Sequence, residues 1–154
     1  MKRTESPEAQ LEGFLAKFTP EIAGLAKAIL IKMRKRLPGA VEMVYDNYNA
    51  LVIGFGPTER PSEAILSVAL YPRWINLFFL HGNKLRDPEK LLKGSGVQVR
   101  SLVLESAGTL DDPAVDDLIA EAVERALAPF DFTQKRKLMI RAVAPKQRAR
   151  RPGK

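Results

Sequence analysis

The sequence predicts an α+β domain in which an antiparallel sheet of four to five strands packs against N-terminal and C-terminal helices. Three observations carry this reading. The chain opens with two apolar faces at helical spacing, passes through short β-rich runs separated by turn formers, and later closes one long amphipathic segment. The resulting order, two helices, three strands, a short helix, a strand, a helix and a final strand, implies an antiparallel sheet with helices on one face.

Both N-terminal helices start on the same chemistry. Ser6-Pro7-Glu8 and Thr19-Pro20-Glu21 each set a hydroxyl before a proline and an acid. The hydroxyl accepts a bond from a free first-turn amide, the proline needs no donor there, and the acid suits the positive end of the helix dipole. Leu11, Phe14, Leu15 and Phe18 form the apolar face of the first helix; Ile22, Leu25, Ala26, Ile29 and Met33 form that of the second. Leu37-Pro38-Gly39 then stops the helix.

The period changes in the middle. "NALVIGFG", "EAILSVALY" and "WINLFFLHG" are short, apolar and aromatic, and read as strands. Tyr71-Pro72-Arg73-Trp74 is short enough to join antiparallel neighbours, while "GPTERPSE" makes a longer connection between the first two. "DPEKLL" reads as a short helix and "VQVRSLVLE" as a further strand. In "DDPAVDDLIAEAVERAL", Asp112 caps a helix that Pro113 begins, and Val115, Leu118, Ile119, Ala122, Val123, Ala126 and Leu127 form its apolar stripe. "KLMIRAV" is short, partly β-branched and bounded by turn residues, which favours a last strand.

The chain of 154 residues has the length of one domain, assigned to 1–143, followed by a basic and flexible tail over 144–154. It contains no cysteine, which excludes disulfides, thiolate metal sites and cysteine nucleophiles. No apolar run reaches spanning length and no signal core follows the N-terminus, so a cytoplasmic protein without membrane contact is expected. The formal charge of +7 hides an asymmetry. Nine of the 25 bases follow Gln134 and no acid follows Asp131, leaving 16 bases against 18 acids in the rest of the chain. A mildly acidic domain carries a strongly basic end.

"LPGAVEMVY", "ILSVALYPRWINLFFLHG", "LLKGSGVQVRSLVL" and "LDDPAVDDLIAEAV", taken in order and spacing, resemble the YdhG-like domain family over about Phe14 to Leu127. The chain departs from the family's common pattern at Val97, where a lysine is usual, and after Tyr45, where a proline often follows. The resemblance implies a small α/β domain with its sheet covered by helices. Most of that family has no established activity, but one branch includes a frataxin-like iron chaperone. Iron is therefore the one cofactor the resemblance suggests.

Residue chemistry supplies several candidate sites, each with a plain structural alternative. Glu42, Tyr45, Asp46, Asn47 and Tyr48 form a polar and aromatic cluster that binds a small ligand if it converges on a cleft. Otherwise it is a junction of packed tyrosines and turn formers. His81, the only histidine, stands where a strand should end, as a titrating group, a ligand or a hydrogen-bonded strand terminus. Arg100 follows Gly94-Ser95-Gly96, whose amides suit an anion or merely a turn. Asp117, Glu121 and Glu124 follow helical spacing and offer hard oxygen ligands for a metal such as iron, or else a solvated helix face. No nucleophile–base–orienter set is legible, so a non-enzymatic binding module for a small ligand or metal is the leading expectation.

The second expectation is a sequence-independent nucleic-acid-binding accessory protein. Its contacts would come from the tail, through Lys146, Arg148, Arg150, Arg151 and Lys154. Nothing beside these cations resembles a base-reading motif, so such binding of a polyanion would be weak. A solubilising end, or one folded back on the acids around Asp117 and Glu121, are the alternatives.

Overall fold

In the computed structural model, which describes residues 5–153, both opening helices begin where their caps dictate. α1 spans Pro7–Leu15 and α2 spans Pro20–Arg36. Ser6 Oγ accepts from the Ala9 amide at 3.1 Å, and Thr19 Oγ1 accepts from the Ile22 amide at 3.3 Å. α2 ends on Arg34, Lys35 and Arg36, cations that suit the negative end of its dipole. Gly39 then reverses the chain at φ +87°.

Six strands follow: β1 (Val41–Asp46), β2 (Leu51–Gly56), β3 (Leu66–Leu70), β4 (Ile75–Phe79), β5 (Arg100–Val103) and β6 (Lys137–Val143). α3 (Pro113–Glu124) lies between the last two in the chain. The sheet runs β5-β4-β3-β2-β1-β6. Neighbours are antiparallel except β1 and β6, which are parallel. The sheet is thus mixed and six-stranded, where the sequence suggested an antiparallel one of four to five strands.

The additional strand is β1. Strand alternation puts Glu42, Val44 and Asp46 on one side and Val41, Met43 and Tyr45 on the other. Val44 belongs to the helix-covered core, so two carboxylates occupy inward positions and break the apolar rhythm that marks a strand. β6 is parallel to β1 because the chain returns through α3 before entering it.

Two local expectations also change. "DPEKLL" forms no helix: the Asp87 carboxylate accepts from the Leu91 and Leu92 amides at 2.9 and 2.8 Å, and Lys90 takes φ +55°. A local side-chain bond there competes successfully with the helix. α3 ends at Glu124, short of Ala126 and Leu127.

All three helices share one core with the sheet. Leu15, Phe18, Ile29 and Met33 join Leu118 and Ile119 over Ile53, Phe55, Val68 and Phe79. Burial of each large apolar side chain contributes roughly 1.5–3 kcal/mol. On the opposite face of the sheet Val41, Met43 and Ala64 form a small buried cluster, with Tyr45, Leu80 and Met139 packed partly against it. None of these belongs to an α-helix. Among the described residues no helix is long and apolar enough to cross a membrane.

Gly39 is where the C-terminal segment meets the helix–sheet turn. A Cβ there would stand 2.7 Å from the Asp131 carbonyl oxygen and 2.8 Å from that of Gln134. Gly39→Ala is therefore expected to destabilise the fold by about 3 kcal/mol, read as a lower urea midpoint. Gly24, inside α2, meets nothing within 4 Å, so Gly24→Ala should stabilise the fold by about 0.5–1 kcal/mol, read as a higher urea midpoint.

Candidate functional site

β1 divides the predicted cluster between two faces. Glu42 and Asp46 lie beneath the helices and are fully buried. Each is held by two cations. Arg34 of α2 donates through Nε and Nη2 to Glu42, with the shortest bond at 2.9 Å, and Arg136 Nη1 donates to Oε2 at 3.1 Å. Asp46 accepts from Lys17 Nζ and from Arg150 Nη2, both at 2.9 Å. Burial alone raises the Asp46 pKa, but hydrogen bonding from Gln147, Lys17 and Arg150 outweighs it and holds the carboxyl below its ordinary value. Both acids are neutralised from within, which suits a structural junction better than a ligand pocket.

Tyr45 points the other way, into an open hollow of about 240 Å³ on the uncovered face. Met43, Val52, Phe78, Leu80 and Val99 make its apolar walls, together with Pro61 and Ala64. Gly54 and Ser67, paired across β2 and β3, supply a floor of small residues. One pair further along, Asn76 stands beside Ala69, and its Oδ1 is buried with no donor in the protein. Gly54, Ser67, Asn76 and Phe78 escaped the sequence reading. The signal was present as small residues at outward positions of adjacent strands, but it needs the register to be seen.

Protein-family models, curated proteins and solved structures offer no counterpart. None matches the chain.

The remaining candidates lie apart. Arg100 is on β5, four strands from Glu42 in the same row of the sheet. Its guanidinium donates to the Gly96 and Val99 carbonyls at 2.6 and 2.8 Å, closing the glycine loop on itself. His81 starts the short turn Gly82–Lys84, and its buried Nδ1 has no partner in the protein. The cavity beside it is only about 30 Å³.

On α3, Asp117 and Glu124 are exposed whereas Glu121 is buried. Glu121 accepts from the Arg86 amide at 3.0 Å and from Arg125 Nε at 2.7 Å. Desolvation raises its pKa, yet these bonds and charges prevail and hold it below the usual value. A cleft of about 770 Å³ borders all three acids with Asp87 and Glu89, but among the described residues no three His, Cys, Asp or Glu side chains are grouped to hold a metal. The donor set does not fit a resident iron.

The basic end folds back onto the end of β1, not onto α3. The Ala144 amide and Gln147 Nε2 donate to the Asp46 carbonyl at 2.8 and 3.0 Å. Arg150 is 5% exposed, donates to the Asn47 carbonyl at 2.5 Å and lies over the Phe18 ring. Arg151 donates to the Ala16 and Lys17 carbonyls just past the end of α1. Lys146 and Arg148 remain exposed, Arg148 against the Tyr48 ring. Lys154 lies outside the described residues.

Asp46→Asn should cost about 3–5 kcal/mol by leaving Arg150 buried without its counter-charge, measured by urea unfolding. The folded pKa of Asp46 is lowered, so its contribution is complete above the unfolded value near 3.8 and fades as pH falls through the folded one. The stability deficit of Asp46→Asn should accordingly shrink in acid. A deficit independent of pH would contradict this assignment.

Proposed function

We propose that the chain is a non-enzymatic binding module for a small organic ligand held on the uncovered face of the sheet. The observation that carries this reading is the hollow itself, where Gly54 and Ser67 interrupt a face otherwise made of Met43, Tyr45, Val52 and Phe78. Sites for small molecules are concave and mostly apolar with few oriented polar groups. The Tyr45 phenol and the Ser67 hydroxyl furnish such groups, and each can accept a hydrogen bond. The fitting ligand is a one-ring or two-ring apolar molecule carrying an N–H or O–H.

Larger clefts fit this role less well. The groove of about 570 Å³ between α2 and α3 is crossed by its own ion pairs, Lys32 with Asp111 at 2.7 Å and Arg36 with Asp116 at 2.7 Å. A ligand there would have to displace or accommodate them. The lining of the hollow on the uncovered face contains no charged side chain.

Indole serves as a probe of the proposed chemistry, followed by NMR shifts of backbone amides. A Cβ at Gly54 meets only the Met43 carbonyl oxygen, at 3.7 Å, so Gly54→Val keeps the strand while filling the hollow. Indole is expected to shift the amides of β1 to β4 in the native chain and to lose at least tenfold in affinity for Gly54→Val. Shifts confined to the α2–α3 groove, or unchanged affinity for that variant, would move the site elsewhere.

A further inference from the structure

One end of the sheet gathers aromatic and cationic groups that the hollow does not use. The register sets Leu51 beside Leu70, so the β1–β2 turn and the β3–β4 turn lie at the same end. The first turn presents Tyr48, half exposed, and the second presents Trp74, 44% exposed and stacked on Tyr71 at 5.2 Å. With strands about 4.8 Å apart, the two turns are separated by about 10 Å across the sheet. The C-terminal segment adds Lys146 and Arg148, and the second turn adds Arg73, all exposed. Among the described residues none of these three cations pairs with a carboxylate.

The acids at this end do not cancel them. Asp46 is buried and already shared by Lys17 and Arg150. Glu105 follows Leu104, whose amide bonds to the Ile75 carbonyl, and stands alone at the edge. Arg148 is anchored through its amide to the Tyr48 carbonyl at 2.9 Å, and its guanidinium sits 5.6 Å from the ring centre. The aromatic and the cation are therefore presented together on a folded support, not on a loose tail.

We propose that this end of the sheet binds single-stranded nucleic acid, with Trp74 and Tyr48 stacking on unpaired bases and Arg73, Lys146 and Arg148 on the phosphates. Exposed rings favour unpaired bases because a duplex keeps its base faces stacked inside. Cations beside them supply the sequence-independent attraction. Tyr48, Arg73, Trp74, Lys146 and Arg148 lie on turns and irregular segments, not on a helix that could enter a groove, so duplex is the poorer ligand. The surface is separate from the hollow and stands whether or not the hollow binds a ligand.

The test is fluorescence anisotropy of a labelled single-stranded oligothymidylate titrated with the full chain over a series of KCl concentrations. Three phosphate contacts on a single strand predict a slope of log affinity against log salt of about −2. Arg73→Gln, Lys146→Gln and Arg148→Gln together should flatten that slope and weaken binding at least tenfold at low salt. Trp74→Ala should weaken binding about tenfold and leave the slope unchanged, as loss of a stacked base requires. Gly54→Val should bind like the native chain, which separates this surface from the hollow.

All these positions except Gly54 are exposed, and circular dichroism checks that each variant folds. Absence of binding at low salt would overturn the proposal. So would equal affinity for duplex with Trp74→Ala indifferent, or native-like binding by the triple variant. Binding to anionic phospholipid vesicles without binding to the oligonucleotide would assign the surface to a membrane instead.

Discussion

The fold depends on the neutralisation of two carboxylates on one strand. Glu42 and Asp46 sit on the helix side of β1, where an unpaired charge would cost several kcal/mol. Their partners come from the α1–α2 junction, from α2 and from the C-terminal segment on either side of β6. The charges of β1 are therefore balanced only where segments from both ends of the chain meet it. Replacing such pairs by apolar residues is often neutral or stabilising in other proteins, so their value here lies in specifying which segments meet. The parallel placement of β6 is the clearest consequence. Arg136 enters the strand beside Glu42, and Arg150 leaves the following segment beside Asp46, so the two pairs fix its two ends in register.

The same alternation shapes the other face. With Glu42 and Asp46 turned inward, β1 can offer only Val41, Met43 and Tyr45 outward. Small residues at Gly54 and Ser67 on the next two strands then leave a depression instead of a flat apolar surface. A sheet face lined by large β-branched residues throughout would invite edge or face association. Here the apolar groups form walls around small residues, an arrangement that suits a molecule fitting inside better than a second sheet lying on top.

The helices and five of the six strands were legible because local chemistry and tertiary burial agree there. Ser6, Thr19 and Asp112 cap the helices they announce, and Leu66, Val68 and Leu70 face the core as their alternation requires. β1 was not legible as a strand. Its inward positions carry acids, and the cations that license them lie up to 104 residues away. The "DPEKLL" segment misled for a local reason, since an Asp at a helix start and an Asp at a turn present the same sequence. Of the candidate cluster, Tyr45 reaches the hollow while Glu42 and Asp46 do not, a division that follows from strand period alone once β1 is recognised.

Charge counting obscured the C-terminal segment in a related way. A run of cations after the last acid reads as one solvated unit, yet its members do different physical work. Arg150 is internal and acts as the counter-charge of Asp46. Arg151 binds carbonyl oxygens where α1 ends, which is favourable for any cation beside a helix C-terminus. Only after these commitments are removed does the free charge appear, and Lys146 and Arg148 then stand beside Tyr48 on a segment fixed by Arg150. Anchoring changes what such cations can do. A flexible basic tail loses conformational entropy on meeting a polyanion, whereas a segment already ordered by a buried ion pair has met that cost in folding.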